Sequence, residues 1–582
     1  MKINKKEILQ KSKTHISFVQ KNIKKSLLNR EKRYEKNIKK LSISSPSESA
    51  TLQQIIRFDS SRKVELKKLY PNPYFIRCDV IFEDEKQEKT IYFAKFNFDK
   101  KSIYSWTTPA AQLRFENIGK FSFTLQNNKK RFGKLLRKDN FMIVDGKILF
   151  LTSETKDYPK ELIYQEYFST KKKKFLLPEI VSQMEKAQDK VIRAKHNGPF
   201  LITGAAGSGK TTLALHRIAY LKQSPETNLL YPSKSIIVFV QDTKTKEYFS
   251  HLLPELGIDK VEITTFSEWA INILKIKNLE FSITYGDSKE ERRQFKYEKN
   301  QTLLGLENNN LKKFKYDSKK PHLVLEEIYK KSLSKQSFKL FLQQKKQKTL
   351  DRFDLTLLLK IHHNKIKDLL TYSLILIDEF QNYLPDQIKI IQNYINKDNR
   401  SIIYVGDIAQ KIYFGTIYSL EQIQEIIPNE RKVVLNKVYR STKQILKYIK
   451  KMGYEIEISK KTREGVPVVE KSFQNKKQEI GYIKKYLLGK KYANIGILSR
   501  DKDYLEEFQK KFNKQKNIHL FSIRQAQGVE FDIVFIVGFN KKEFLENIRL
   551  NNIEEEWIKI EKDILYVGLT RAINELHVLE KL

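Results

Sequence analysis

An apolar stretch, Phe200-Leu-Ile-Thr203, runs directly into Gly204-Ala-Ala-Gly-Ser-Gly-Lys210-Thr211 and then into Thr212-Leu-Ala-Leu-His-Arg-Ile-Ala-Tyr220. The order is that of a buried strand, a glycine-rich loop and a helix, and it commits the chain to a parallel sheet with helices against it. Glycines at these places let backbone N–H groups curl around phosphate oxygens at the helix N-terminus, where the helix dipole favours an anion. Gly204, Ala205, Ala206, Gly207, Ser208, Gly209, Lys210, Thr211 and Thr212 are therefore candidate cradle residues for a nucleotide, with ATP and Mg²⁺ as the expected ligands. Lys210 would supply charge to the β and γ phosphates, and the Thr211 hydroxyl would face the metal.

Such a loop needs a metal-holding carboxylate at the end of a neighbouring strand. Leu374-Ile-Leu-Ile-Asp378-Glu379 supplies an apolar strand ending in two acids. Asp378 is the candidate metal residue, and Glu379 the candidate general base that orients and deprotonates the attacking water.

At 582 residues the chain is too long for one ordinary core. Residues 1–70 hold apolar positions at helical spacing (Ile16, Val19, Ile23, Leu27), and Ser44-Ser45-Pro46-Ser47 should break them into two helices. The first forty residues carry 14 Lys or Arg against 3 Glu, which fits either a basic arm or a helix packed on the body by its apolar stripe. Residues 71–170 alternate as short strands and predict a small β-rich module. Residues 171–397 predict a first α/β ATPase domain, opened by a linker at Lys171 to Lys174 and interrupted by a helical insertion over about 269–372. Residues 398–582 predict a second α/β domain.

Lys and Arg total 110 against 69 acids, a formal charge of +41 that suits a polyanion such as nucleic acid, although lysine enrichment throughout the chain accounts for part of it. The single cysteine, Cys78, excludes an internal disulfide and a cysteine zinc cluster. With neither an export signal nor a run of eighteen apolar residues, a cytoplasmic protein with no membrane partner is expected.

Five further blocks carry a family resemblance: Asp378-Glu-Phe-Gln381, Gly406-Asp-Ile-Ala-Gln410, Tyr439-Arg440-Ser-Thr442, Gln527-Gly-Val-Glu-Phe-Asp532 and Leu565-Tyr-Val-Gly-Leu-Thr-Arg571-Ala. With the phosphate loop they resemble the successive motifs of superfamily 1 helicases of the UvrD and Rep type. The helix after the loop, Tyr248 to Gly257 and Thr265 to Ala270 resemble HelD and helicase IV proteins more closely; Asn72 to Asp79 and Trp106 to Ala111 do so more weakly. The resemblance implies two RecA-like domains with one ATP site between them. It implies that Gln188 contacts adenine, Glu530 the ribose, and Gln410 the γ-phosphate, with Arg440 and Arg571 reaching that phosphate from the second domain. Thr265, Phe266 and Tyr413 lie where the family touches single-stranded nucleic acid.

Three positions depart from the pattern. Asn382 stands where an acid is usual, Gln527 where a lysine commonly precedes the glycine, and Gln241-Asp242 where Pro-Asn is expected. Only 26 residues separate Arg500 from Gln527, too few for the large accessory domain that UvrD carries there. The leading expectation is an ATP-driven motor that moves along or remodels DNA, with 3′ to 5′ polarity implied by the family. The alternatives are a HelD-like ATPase that recycles RNA polymerase, and a nucleotide-dependent binding module with negligible turnover.

Overall fold

The computed structural model describes residues 4–98, 102–125, 129–157, 161–165, 189, 191–205, 208–224, 226–256, 258, 260–277, 280–281, 289–306, 311–363, 371–435, 441–458, 462–488, 494–513, 515, 517–540 and 552–582. The chain divides into two compact bodies: residues 1–194 with 215–230 and 251–259, and residues 195–214, 231–250 and 260–582.

In the first body, helices Lys5–Leu41 and Pro46–Leu69 form a hairpin. The Asn4 side chain accepts from Glu7 N–H at 3.2 Å to cap the first helix. Pro46 opens the second, where the Glu48 carboxylate accepts from Ser45 N–H and hydroxyl at 3.2 and 2.9 Å. Ile16, Val19 and Ile23 are buried against Leu66, Leu69 and the module residues Tyr74, Tyr92, Phe141 and Leu151. Each such burial contributes about 1.5–3 kcal/mol, which fixes the hairpin on the module while its lysines stay in water. Asp59 is buried at the hairpin seam and takes Arg30 at 2.6 Å and Arg33. The module is a seven-stranded, mainly antiparallel sheet whose longest strand, Lys130–Val144, pairs with Ile76–Phe82, Gly119–Thr124 and Lys147–Thr155. Within this body the Arg114 guanidinium donates to Asp189 at 2.5 Å, and Arg217 donates to the carbonyls of Val191 and Ile192 at 2.8 and 3.0 Å.

The second body contains two parallel sheets. The first runs in the order Glu262–Thr265, Ile236–Val240, Leu374–Asp378, Ser401–Gly406, Phe200–Gly204, Lys432–Leu435. The second runs Val469–Phe473, Ala572–Lys581, Phe531–Phe539, Ile495–Ser499, Ile518–Ser522. Strands Ile236–Val240, Leu374–Asp378 and Ser401–Gly406 are buried throughout, as continuous apolar runs covered on both faces must be.

These pairings correct the domain boundary expected at 397/398. Ser401–Gly406 and Lys432–Leu435 flank Phe200–Gly204 in the first sheet, so the first domain extends through Leu435. Alternating strands and helices show that a strand joins a parallel sheet but not which of two sheets it joins. The Lys171 to Lys174 linker lies outside the described residues. No described helix is long and apolar enough to cross a membrane.

The insertion is built from helices Lys289–Gly305, Pro321–Ser332, Lys335–Lys346 and Arg352–His363. Its centre is polar: the fully buried Lys299 ammonium donates to Gln344, Asp351 and Asp354, each at 2.8 Å, and Tyr329 donates to Asp354 at 2.7 Å. Removing one member of a buried ionic cluster strands the others. Lys299→Met should therefore cost about 3–5 kcal/mol, read as a lower urea midpoint followed by tryptophan fluorescence; an unchanged midpoint would show that the carboxylates need no counter-charge.

Candidate nucleotide and nucleic-acid site

Parallel strands carry their chain ends to one edge of the sheet, and the phosphate loop, the paired acids and the Gly406-Asp407 turn all lie at the edge where the strands end. Gly204 turns out of its strand at φ +139°, and a side chain there would strike the Leu435 carbonyl. Lys210 opens the helix that follows and is buried, its ammonium donating to the carbonyls of Gly204 and Ala205 at 2.8 and 3.1 Å. Ser208 is buried, Gly209 lies at φ +87°, and Thr212 continues the helix. The Thr211 hydroxyl donates to Asp378 Oδ1 at 3.1 Å. Ala206, Gly207, Gln188 and Arg440 lie outside the described residues.

Burial, and next the neighbouring Glu379 carboxylate, push Asp378 up to about 8, with Thr211 and Lys210 opposing the shift. A hydroxyl and a carboxylate with this bias toward losing its negative charge suit a small hard cation, which would reverse the shift. Glu379 sits in the left-handed region at φ 51° and ψ 47°, a conformation costly for a residue with a Cβ. It leads straight into the tight turn Phe380–Asn382, which holds it there by the Asn382 N–H to Glu379 carbonyl bond of 2.9 Å.

Gln381 had no role in the sequence reading, although it stands in one of the quoted blocks. Its amide nitrogen donates to Glu379 Oε2 at 2.6 Å, and its oxygen accepts from Asp407 N–H at 3.1 Å. Asp407 accepts from Gln410 Nε2 at 2.7 Å, and the Gln410 oxygen faces Arg571 Nη2 of the second sheet domain at 3.5 Å. Arg571 is anchored on its own helix by Val567 O at 2.9 Å and Thr570 Oγ1 at 3.0 Å. The structure thus brings Lys210, Thr211, Asp378, Glu379, Gln410 and Arg571 to facing edges of two sheets. Glu530 precedes the strand Phe531–Phe539, its carbonyl accepting from Asn494 at 2.9 Å.

Thr265, Phe266 and Tyr413 line one cavity of about 110 Å³ together with Lys296, Arg352 and Asn382. Thr265 also caps its helix, accepting from Glu268 N–H at 3.2 Å, and Phe266 packs on Trp269 and Tyr383, so both carry structural duties. Tyr413 lies under the Arg352 guanidinium, 4.4 Å from ring centroid to Cζ. Burial and then the nearby Arg524 push Lys296 down to about 8, with Arg352 and Arg292 adding and Asp351 opposing. Lys296, Arg352 and Arg524 escaped the sequence reading because nothing separates them from 107 other basic residues, the remainder of the 110 in the chain.

Fold and loop together define the class, a P-loop protein with two RecA-like halves. Residues 187–416 match the AAA domain family and residues 509–580 the UvrD-like helicase C-terminal domain. The chain is 27% identical over 368 residues to a probable DNA helicase II homolog of Mycoplasma capricolum subsp. capricolum, covering 55% of this chain and 49% of that one. It is 22% identical over 428 residues to a probable DNA helicase of Mycoplasma pneumoniae, covering 65% and 79%. It is 29% identical over 284 residues to the ATP-dependent DNA helicase Rep of Buchnera aphidicola subsp. Schizaphis graminum, covering 44% and 42%. The chain belongs to the superfamily 1 helicases of the UvrD and Rep type. It spans about half the length of the helicase II homolog and less of the Rep protein. A solved complex of Arterivirus nonstructural protein 10 (helicase) with DNA superimposes at a TM-score of 0.26 and 12% identity, over 68% of this chain and 62% of that one, too low a likeness to bear on the fold.

Gly406 is the tight spot of the site, since a Cβ there would collide with Gln381 Oε1 and the Phe380 ring. Gly406→Ala should push Gln381 away from Glu379 and cost about 1–3 kcal/mol, measured as a fall in thermal midpoint. An unaltered midpoint would mean that Gln381 shifts without cost.

Proposed function

We propose that this chain is an ATP-driven nucleic-acid motor that hydrolyses ATP, with Mg²⁺, to move along or remodel DNA. The observation that supports it most is the line Glu379, Gln381, Asp407, Gln410, Arg571, which crosses from the first sheet domain to the second. In this reading Lys210 and the loop amides hold the β and γ phosphates, while Thr211 and Asp378 hold Mg²⁺, which neutralises charge on the transferring group. Glu379 takes the proton of the attacking water, held in place by Gln381. Gln410 and Arg571 stabilise the charge spreading over the γ-phosphate oxygens, so hydrolysis depends on the two halves being closed. Gln188, Glu530 and Arg440 keep the roles that the family resemblance implies.

The DNA path in this reading crosses the cavity of Thr265, Phe266 and Tyr413. Two aromatic faces suit bases, and the cations Lys296 and Arg352, with Arg524 nearby, suit backbone phosphates. The polarity of movement, 3′ to 5′, rests on the family alone.

A second reading, a HelD-like ATPase acting on RNA polymerase, draws support from the N-terminal helical hairpin, whose exposed tip and lysine-rich faces suit a partner surface. The two readings separate in one steady-state ATPase experiment. A DNA motor should turn over faster with single-stranded DNA, and Lys210→Ala should abolish turnover. No stimulation by DNA, with turnover responding to polymerase instead, would replace the first reading by the second.

The cavity adds a pH signature. Lys296 is charged below about 8 and neutral above it, so affinity for single-stranded DNA should fall as pH rises from 7 to 9. Lys296→Arg, charged throughout that range, should flatten the profile measured by fluorescence anisotropy. A wild-type profile already flat would remove Lys296 from the path.

A further inference from the structure

The three departures from the family pattern meet around one turn. Asn382 Nδ2, buried, donates to Gln527 Oε1 across the two sheet domains at 2.8 Å. Gln241 Nε2 points at the Glu379 carbonyl, 3.5 Å away. All three are carboxamides, and all bear on the segment Glu379 to Asn382. Asn382 is tied on its other sides as well: its carbonyl accepts from Arg352 Nη1 at 3.2 Å, its Oδ1 faces Ile412 N–H at 3.4 Å, and it lines the cavity under Tyr413. The Gln527 amide nitrogen is buried with no hydrogen-bond partner among the described residues.

We propose that Asn382 and Gln527 form an uncharged latch between the two halves, acting as positioning residues that hold Glu379 in its left-handed conformation only while the halves are together. Three steps carry this. The turn Phe380–Asn382 is the anchor of Glu379, through the 2.9 Å Asn382 to Glu379 backbone bond, so whatever holds Asn382 holds the base. Among the described residues, Asn382 is held from the second domain by the Gln527 side chain, which sits just before Gly528 at φ +78° at the end of the turn Ile523–Ala526. The contact is neutral on both sides. Opening the halves therefore bares two amides rather than two charges, and the latch can close without the desolvation cost that a buried ion pair carries. Removing one partner leaves the other buried and unpaired, which is the expensive case for a hydrogen bond.

The departures thus behave as one compensated exchange. An acid at 382 alone, or a lysine at 527 alone, would bury a charge against a neutral amide with no opposite charge to meet it, which costs more than the neutral pair. Together they would again be complementary.

This inference rests on the reading of the chain as an ATP hydrolase, and the test separates the two. Turnover of the 582-residue chain is measured with and without single-stranded DNA for wild type, Gln527→Ala, Asn382→Asp, Gln527→Lys and the double variant Asn382→Asp with Gln527→Lys. Gln527→Ala should lower kcat on the order of tenfold, with the KM for ATP held within about twofold, since the loop that grips the nucleotide is untouched. Each single charge variant should fall at least as far, and the double variant should recover to within about threefold of wild type. That recovery distinguishes positioning from misfolding. A Gln527→Ala protein with wild-type kcat overturns the latch, as does a double variant in which the two losses simply multiply. A wild type that turns over but ignores DNA defeats the motor reading and leaves the latch to the same cycle; a wild type without turnover both with and without DNA overturns both.

Discussion

The Gln381 side chain joins two neighbouring strand ends with its two ends, giving a hydrogen bond to Glu379 and taking one from Asp407 N–H. Much of the site depends on that carboxamide. Parallel pairing of Leu374–Asp378 with Ser401–Gly406 sets both strand ends at one edge, and the missing side chain at Gly406 leaves room for Gln381 between them. Beyond Asp407 the line continues through Gln410 to Arg571. Inside a protein such bonds polarise one another and are stronger than in water, but an unmade one is correspondingly costly. The line therefore fixes side-chain orientation at the edge in a way that packing of the apolar strands alone would not.

Positive charge is plentiful in this chain, so its position matters more than its amount. Lys299 is neutralised by Asp351 and Asp354 in the middle of the insertion and serves folding. One turn earlier on the same helix, Lys296 lines the cavity with Arg352, and its shift toward neutrality comes first from burial and then from the nearby Arg524, with Asp351 opposing. In the proposed function the bulk excess would draw a polyanion from a distance, and this cluster would set where its phosphates stop.

How much of this was legible in the sequence depended on whether local chemistry or pairing decided the outcome. The loop from Gly204 to Thr211 and the strand ending at Asp378 and Glu379 were readable because phosphate and metal chemistry demand those residue types in that order. The hairpin was readable from Ile16, Val19 and Ile23 and from Pro46. The long strand Lys130–Val144 was missed: Lys-Leu-Leu-Arg-Lys-Asp breaks its alternation, and its charged groups are satisfied by neighbours, the Ser153 hydroxyl donating to Asp139 and Lys138 donating to the Glu116 backbone carbonyl. The boundary at 397/398 failed because sheet membership is a pairing between distant segments. Gln381, Lys296 and the Asn382–Gln527 contact were invisible for the same reason, each being defined by what it meets across the fold.

The two halves meet through contacts of different kinds, and the difference bears on how such a motor could work. Phe414 stacks on Trp557 with centroids 5.0 Å apart, and Lys411 pairs with Glu556. Neither contact is made by a residue of the phosphate loop. Arg571 is arranged otherwise. Its short bonds run to its own helix, and its reach to Gln410 is long, at 3.5 Å against 2.9 Å to Val567. A further contact on its own half runs from Arg571 Nη1 to the Val529 carbonyl at 3.5 Å. In the proposed reaction a γ-phosphate beside Gln410 would draw the guanidinium from this long contact, and its loss on hydrolysis would restore it, so that closure would depend on the nucleotide.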